Sequence, residues 1–304
     1  MKFARENSQI KEYNDSEDTW TILRMILWST DYLAGKGVEN SRLDSEWLLA
    51  YALDTDRLQL YLQYDRPLSP EEREAFKPLL RRRARREPIQ YILGRTSFRE
   101  LELLTDKRVL IPRPETEILV EEVLNWALYR PEGLGKVLDI GTGSGAIAIS
   151  LAVEGSCNRI IATDVSPDAL EVAKENACRH GKSEKLDFRQ GRLFDVLEED
   201  DKFDIVVSNP PYVEEENRIN LEPEINQWEP SQALFAGEDG LDVIRSLISG
   251  SPEFLLPGGL LALEIGMTQD DHVVELIRET ESFEPASVRL DLNGRPRVVM
   301  AQRI

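Results

Sequence analysis

The residues Asn209-Pro210-Pro211-Tyr212 have the types and the order of a site that holds a planar nitrogen group. Two successive prolines fix φ, remove two N–H donors and leave neighbouring backbone carbonyls without partners. The Asn209 amide oxygen and a free carbonyl can accept both hydrogens of an –NH2 group, on which the Tyr212 ring can stack. A bare Pro-Pro is more often a strand that ends in a turn, so this interpretation needs support elsewhere in the chain.

The elements around this motif predict an open sheet. The apolar run 203–207 predicts a buried strand that ends at Asn209, and strands alternate with helices from residue 135 onward, as in parallel sheets covered on both faces. The last two strands, 287–292 and 297–302, are joined by the hairpin signal Asn293-Gly294. We predict an α/β fold: a Rossmann-like, seven-stranded, mostly parallel sheet with a C-terminal antiparallel hairpin and a small N-terminal helical-bundle domain.

Three successive strand ends carry groups that suit one ligand. The turn Gly141-Thr142-Gly143-Ser144-Gly145 lets a ligand lie against the backbone at a helix N-terminus, and Asp164 can accept hydrogen bonds from two ribose hydroxyls. Leu193 and Phe194 offer an apolar wall for a base. Taken singly, the glycines can be an ordinary turn, Asp164 a polar strand end, and Leu193 with Phe194 a core pair. All three at successive strand ends are far less expected by chance than any one of them. The glycine spacing is not that of a dinucleotide site, which disfavours a nicotinamide enzyme.

The chain divides into segments of different character. Residues 1–87 predict a helical domain, of which 1–18 are polar, because apolar residues recur at helical spacing and no strand pattern precedes residue 97. We expect this domain to take part in substrate recognition, because a separate helical module of this size is too large to be a mere cap. Residues 88–111 predict a connecting segment with a β-hairpin, and 112–304 the catalytic domain. The basic run 81–86 is either a solvated helix face, which we favour slightly, or a docking patch for an acidic partner.

Charge and composition exclude several classes of function. Residues 1–96 hold 16 Lys and Arg and 16 Asp and Glu, so the net charge of −19 lies entirely in the remainder, which disfavours direct binding of nucleic acid. Two cysteines and two histidines lack ligand-like spacing, so we predict no metal. No signal peptide or membrane-spanning pattern is present, so we expect a cytoplasmic location without membrane contact.

The segment Pro112-Arg113-Pro114-Glu115-Thr116-Glu117 combines stiff prolines with charges directly before a predicted helix, which we expect to start at Glu115 or Thr116. Such a segment is typical either of ordinary capping or of a lid. Further distinctive segments are Pro88 to Gly94, Leu138 to Gly145, Asn209 to Tyr212, Glu229-Pro230 and Arg295 to Val299.

On these motifs the chain resembles the class I S-adenosylmethionine-dependent methyltransferases, and within them the HemK/PrmC family of release-factor glutamine methyltransferases. The resemblance covers most of residues 88–304, and its most specific motif is 112–117, since Asn-Pro-Pro-Tyr also occurs in N6-adenine DNA and RNA methyltransferases. Residues 1–87 match only in character and placement. One departure from the family pattern is Leu193, which stands where some members have Trp.

The resemblance implies the cofactor S-adenosyl-L-methionine, with S-adenosyl-L-homocysteine as product. Its methionyl part would lie over residues 141–145, its ribose on Asp164 and its adenine near Leu193, with Asn209 also in contact. The acceptor would be the glutamine of the Gly-Gly-Gln loop of peptide chain release factors. We assign catalysis to Asn209, Pro210 and Tyr212. The residues assigned to acceptor binding are Asn209, Pro210, Pro211, Tyr212, Arg113 and Glu115.

Two other functions remain open at this point. An N6-adenine DNA or RNA methyltransferase would flip its base into the same corner, although the acidic charge opposes it. A noncatalytic nucleotide-binding module that regulates a partner is the second alternative, against which the intact Asn209 corner argues. For the quaternary structure we expect a monomer.

Overall fold

A computed structural model describes residues 19–128, 130–131 and 133–304. The chain divides into two compact units, and the boundary lies between Ile92 and Leu93. The predicted boundaries at residues 87 and 111 stay predictions, and the polar segment 1–18 lies outside the described residues. No helix in the described ranges combines the length and the apolar character that a membrane crossing requires.

The first unit is helical. Its helices are α1 (Ile22–Ala34), α2 (Ser41–Ala52), α3 (Arg57–Leu62), α4 (Pro70–Ala84) and α5 (Ile89–Leu93), the last of which crosses the unit boundary. The sequence Ser69-Pro70-Glu71-Glu72 predicts a capping box at the start of α4, and the structure confirms it: the Ser69 hydroxyl accepts from the Glu72 N–H, and the Glu72 carboxylate accepts from the Ser69 N–H.

The basic run at the end of α4 is not a uniform solvated face. Arg81 and Arg85 are exposed, but Arg83 is buried and its guanidinium donates to Asp44 of α2 at 2.7 Å. The prediction of a solvated face is therefore wrong for Arg83. A buried arginine needs a charged partner, and here that partner ties α4 to α2.

The second unit begins with an antiparallel hairpin and then forms a seven-stranded sheet. The hairpin is β1 (Arg95–Phe98) with β2 (Leu101–Leu104), and it starts two residues before the predicted limit at 97. The remaining elements are α6 (Pro114–Ala127), β3 (Gly135–Ile140), α7 (Ala146–Glu154), β4 (Cys157–Asp164), α8 (Pro167–Arg179), β5 (Leu186–Gln190), β6 (Phe203–Ser208), α9 (Pro223–Trp228), α10 (Asp242–Phe254), β7 (Leu255–Glu264), α11 (Asp270–Glu279), β8 (Ser287–Leu290) and β9 (Pro296–Gln302).

The strand order is β5-β4-β3-β6-β7-β9-β8, with the first five strands parallel and β9 antiparallel to both of its neighbours. This confirms the predicted fold class. Side chains alternate between the two faces, so that Val137 and Ile205 join the core under α6 and α7, while Leu138 and Val206 join the core under α10 and α11. The chain runs outward from β3 to β5 and then returns to β6 on the other side of β3. This reversal opens a crevice at the carboxyl ends of β3 and β6, where open α/β sheets bind ligands.

Three local predictions are wrong. Helix α6 starts at Pro114 with Arg113 as its N-cap, one or two residues before the predicted start, because a proline fits the first turn of a helix. The sequence predicts a long loop over residues 213–238, but this segment contains α9 and two 3-10 turns. Helix α10 was not predicted, since Gly250 and Pro252 near its end interrupt the helical pattern. It forms because its apolar face is buried against the sheet.

Candidate functional site

A cavity of about 210 Å³ lies at the carboxyl ends of β3, β4 and β6. A buried water needs only about 10–15 Å³, so this cavity has room for a small molecule. Residues from four sequence-predicted groups line it: Gly141 and Gly143 of the glycine turn, Asp164, Leu193, and Asn209 with Pro210 and Pro211. The lining also includes Pro230 of the segment Glu229-Pro230, and residues that the sequence did not indicate, among them Arg108, Val109, Leu110, Ser166, Ala169, Arg192 and Gln232.

The glycine turn after β3 leaves an open backbone surface. Gly141 and Gly143 have φ of +73° and +54°, and a Cβ added to either would meet no protein atom within 4 Å. The left-handed backbone favours glycine there, and the open space lies where a ligand would rest. Gly145 differs, because a Cβ would stand 2.8 Å from Cδ1 of Ile149, so its lack of a side chain serves packing.

The other two residues of the turn face the protein interior. The Thr142 hydroxyl donates to Asp139 at 2.7 Å, and the Ser144 carbonyl accepts from the Asn176 side chain at 2.9 Å. Burial raises the pKa of Asp139 to about 7, and the Thr142 hydrogen bond opposes that rise. The cavity lining within the described residues does not include Thr142, Ser144 or Gly145. These three residues support the conformation of the turn through contacts on the side away from the cavity.

Asp164 holds the glycine turn in place. Its Oδ2 accepts from the Gly143 N–H and its Oδ1 from the Ser166 N–H, both at 2.9 Å. Burial raises the pKa of Asp164, and these backbone donors oppose the rise. An ionised carboxylate offers about four acceptor positions, so this one can still accept from two hydroxyl groups of a ligand.

We expect Asp164→Ala to lower the affinity for the methyl donor by roughly one to two orders of magnitude. A hydrogen bond to a charged group contributes about 1.5–3 kcal/mol, and the substitution also releases the Gly143 N–H from its acceptor. Calorimetric titration of the folded variant with the donor measures this change. The matched control is Asp168→Ala, since Asp168 is an exposed acid four residues away that does not line the cavity. Wild-type affinity in a folded Asp164→Ala protein would remove the ribose assignment.

Leu193 and Phe194 separate in the structure. Leu193 lines the cavity with φ of +48°, a left-handed conformation that is unusual for a non-glycine residue. Phe194 turns away and stacks on Phe254, with ring centroids 5.1 Å apart and planes 3° apart. The prediction of a two-residue apolar wall is wrong for Phe194, because its partly buried ring packs against the core under α10.

The Asn209 corner is fixed at the end of β6. The Ser208 hydroxyl donates to the Ile140 carbonyl at 2.7 Å, which joins the end of β6 to the glycine turn side of β3. The Asn209 Nδ2 donates to the Thr116 hydroxyl at 2.9 Å. Within the described residues the Asn209 Oδ1 and the Pro210 carbonyl accept no hydrogen bond. Two acceptors next to a cavity thus remain available for a planar –NH2 group.

Tyr212 is anchored and lies outside the cavity lining. Its hydroxyl donates to Glu264 at 3.2 Å, and its carbonyl accepts from the Gln269 side chain at 3.1 Å. Burial and the Glu264 charge both raise the pKa of Tyr212, so the phenol stays protonated. The predicted stacking of this ring on the acceptor stays a prediction.

The segment 112–117 contributes two side chains that bind across the site. Arg113 donates to the Glu229 carboxylate at 2.6 Å, and Glu229 is only 6% exposed. Burial raises the pKa of Glu229, while the Arg113 charge opposes the rise. Thr116 bonds to both Asn209 and Glu264. Burial raises the pKa of Glu264, and the charge of the half-buried Glu115 adds to that rise.

Thr116, Glu264 and Gln269 are residues that sequence reasoning did not place in the site. One sequence pattern could have indicated Glu264 as a site residue. It is a single acid directly after the apolar run 260–263, which places it at the carboxyl end of a strand. Thr116 lies within the motif 112–117, where the local sequence predicts for it only a position at the start of a helix. In the described ranges, His, Cys, Asp and Glu form no cluster of three or more that could hold a metal ion.

Comparison with known proteins identifies the family. A model of the PrmC N-terminal domain matches residues 24–94, and a model of a methyltransferase domain matches residues 132–245. The release factor glutamine methyltransferase of Geobacter sulfurreducens is 44% identical over 94% of this chain and 98% of its own length. The chain belongs to the release factor glutamine methyltransferase family. The family member of Rhodopirellula baltica is 36% identical over 95% of this chain and 98% of its own length.

Solved structures agree with this family at the level of the fold. The catalytic domain of hMettl16, solved in complex with the MAT2A 3′UTR hairpin 6, has a TM-score of 0.53 and 16% identity over 73% of this chain and 81% of that chain. At this identity the likeness shows the fold alone.

The methyl donor of this family member is S-adenosylmethionine, and the cavity fits it. Gly141 and Gly143 leave an open backbone surface on which its amino-acid part would lie, and Asp164 retains acceptor positions that its ribose hydroxyls would use. Leu193 supplies apolar surface in the same cavity. When bound, the donor supplies a methyl group on a positively charged sulfur.

Proposed function

We propose that this protein transfers a methyl group from S-adenosylmethionine to the side-chain amide nitrogen of the glutamine in the Gly-Gly-Gln motif of peptide chain release factors. The observation that carries the proposal is the pair of free acceptors, Asn209 Oδ1 and the Pro210 carbonyl, beside the donor cavity. Membership of the release factor glutamine methyltransferase family supports the choice of acceptor.

The chemistry explains why two acceptors matter. A carboxamide nitrogen is a poor nucleophile, because its lone pair is delocalised into the carbonyl. Acceptors that hold both N–H bonds fix the plane of the amide and aim the nitrogen along one line, so the rate enhancement comes mainly from positioning. The new N–C bond forms as the C–S bond breaks, sulfur keeps the electron pair, and nitrogen then releases one proton to solvent.

Other residues support this role from the protein side. Pro210 and Pro211 fix the backbone of the corner, since each locks its own φ. Tyr212 and the Arg113–Glu229 pair hold the segments on either side of it. Arg113 contributes to acceptor binding indirectly, because its ion pair fixes the position of the segment 112–117. We propose that Glu115 and the Tyr212 ring contact the acceptor directly.

The same proposal covers partners and location. We propose that residues 1–87 help to recognise the folded release factor, that the enzyme acts as a monomer in the cytoplasm, and that it does not bind nucleic acid directly. The charge distribution supports the last point, because residues 97–304 carry the whole net charge of −19 and would repel a phosphate backbone.

Transfer of labelled methyl groups tests the acceptor. We expect label from the donor to enter a release factor and not the same factor with its Gly-Gly-Gln glutamine changed to alanine. Duplex DNA and structured RNA, offered at equal concentration, should remain unlabelled because the acidic surface opposes their approach. Mass spectrometry of the labelled peptide should place one methyl group on the glutamine side chain.

The other outcomes are equally clear. Label in nucleic acid would favour the adenine methyltransferase alternative, and equal labelling of the alanine factor would reject glutamine as the target. Donor binding without transfer to any of these acceptors would favour the noncatalytic alternative.

A further inference from the structure

A buried chain of hydrogen bonds lies behind the Asn209 corner. Glu264, the last residue of β7, is fully buried, and its Oε2 accepts from the Thr116 hydroxyl at 2.6 Å. Thr116 is 3% exposed in the first turn of α6, and its oxygen accepts from the Asn209 Nδ2 at 2.9 Å. Three elements that are far apart in sequence therefore meet at one amide group.

The order of donors and acceptors in this chain gives it a direction. A hydroxyl has one hydrogen to donate, and the ionised Glu264 carboxylate can only accept, so the Thr116 hydrogen points to Glu264. The Thr116 oxygen is then left as an acceptor toward Asn209. Only the –NH2 end of the Asn209 amide can donate a hydrogen bond to the Thr116 oxygen. The Asn209 Oδ1 therefore points to the opposite side, where no described residue donates to it.

We propose that Glu264 and Thr116 are positioning residues that fix which end of the Asn209 amide faces the cavity. This inference rests on the proposed function, because the enzyme needs the amide oxygen, and not the –NH2 group, opposite the acceptor nitrogen. An amide turned by 180° presents two hydrogens to the hydrogens of the acceptor and repels it. The pair thereby selects the one amide orientation that can bind the glutamine.

The protonation of Glu264 links this chain to pH. Burial raises the pKa of Glu264 to about 7, the hydrogen bonds from Thr116 and Tyr212 and the charge of Arg297 oppose the rise, and the Glu115 charge adds to it. As the pH falls through this value the carboxyl gains a proton and can donate to Thr116. The Thr116 hydrogen is then free to point at Asn209, and the preference for one amide orientation is lost.

Substitutions at Thr116 test the inference. Thr116→Val keeps the shape of the side chain and removes the hydroxyl, so we expect kcat to fall roughly ten- to a hundred-fold, as for a misplaced reacting group, while donor affinity stays unchanged. Thr116→Ser restores the hydroxyl and should recover most of kcat. Thr105→Val is the matched control, because Thr105 is equally buried and its hydroxyl has no hydrogen-bond partner within the described residues.

Glu264→Gln adds a readout that a merely structural role would not change. In the wild type we expect kcat to fall as the pH decreases through about 7, the value to which burial raises the pKa of Glu264. The amide that replaces the carboxyl group in this variant has no titrating proton, so the acid limb should disappear. An unchanged acid limb in Glu264→Gln, or wild-type kcat in a folded Thr116→Val protein, would overturn the inference.

A measurement without acceptor separates this inference from the proposed function. In ¹⁵N-labelled protein, the side-chain amide protons of Asn209, assigned by their loss in Asn209→Asp, should exchange slowly in the wild type and in Thr116→Ser. They should exchange faster in Thr116→Val, because their acceptor is gone. If the wild type does not methylate release factors and this protection pattern still holds, only the proposed function fails. Equal protection in all three proteins would reject the positioning chain itself.

Discussion

Asn209→Ala is expected to lower kcat for methyl transfer by about two to three orders of magnitude, the loss seen when one preorganised polar group at a reaction centre is removed. The substitution deletes Oδ1, one of the two free acceptors at the corner, together with the hydrogen bond to Thr116. The acceptor amide would keep only the Pro210 carbonyl, which cannot define its plane.

Donor binding should survive this change. Asn209 lines the same cavity as Asp164, but the contacts that hold the glycine turn run from Asp164 to Gly143 and Ser166 and do not involve Asn209. A residue that acts on the reacting group and not on ground-state binding of the donor affects kcat more than donor affinity. Single-turnover transfer to a release factor measures the first quantity, and calorimetry measures the second.

Asn220→Ala provides the matched control, because Asn220 is exposed and bonds only its neighbour Asn217 among the described residues. This control should transfer methyl groups at the wild-type rate. Turnover near the wild-type level in a folded Asn209→Ala protein would show that the corner is a structural proline turn. The other interpretation of the Pro-Pro sequence would then be correct.

The parts of the site that could be predicted depend on local backbone geometry. The glycines at 141 and 143 signal positive φ, and the apolar runs signal buried strands whose ends must meet at one edge of a parallel sheet. Asp164 and Asn209 follow such strands directly, so their convergence on one cavity followed from the fold class.

The parts that could not be predicted depend on pairing between distant residues. Thr116 and Glu264 are 148 positions apart, and Arg113 and Glu229 are 116 apart, so no local pattern in the sequence connects them. Phe194 illustrates the same limit, because its choice between cavity and core depends on Phe254. Helix α10 shows that burial of an apolar face can override a glycine and a proline in the sequence.

Arg113→Ala is expected to destabilise the protein by about 3 kcal/mol near pH 8, because it leaves the buried Glu229 carboxylate without its charged partner. The Glu229 side chain is only 1% exposed, and its Oε2 has no hydrogen-bond partner within the described residues, so solvent cannot replace Arg113. Urea unfolding followed by circular dichroism measures the free energy of unfolding.

The stability that Arg113→Ala loses should be smaller at acidic pH. Burial already raises the folded-state pKa of Glu229, and removal of Arg113 raises it further. A carboxyl whose folded-state pKa is above its unfolded value favours folding fully below the unfolded pKa of about 4.3, and that contribution is lost as the pH rises through the folded pKa. The difference between Arg113→Ala and the wild type should therefore be smaller near pH 5 than near pH 8.

Two further variants show whether burial is the cause. Arg245→Ala removes the arginine that pairs with Asp239. Both side chains of this pair are well exposed, so this variant should lose far less free energy of unfolding at either pH. Glu229→Gln added to Arg113→Ala removes the unpaired charge and should recover part of the lost stability near pH 8. A pH-independent loss in Arg113→Ala, with no recovery in the double variant, would mean that Arg113 stabilises its segment by packing alone. In that case its ion pair with Glu229 would not be the contact that holds the 112–117 segment against the 229–230 loop.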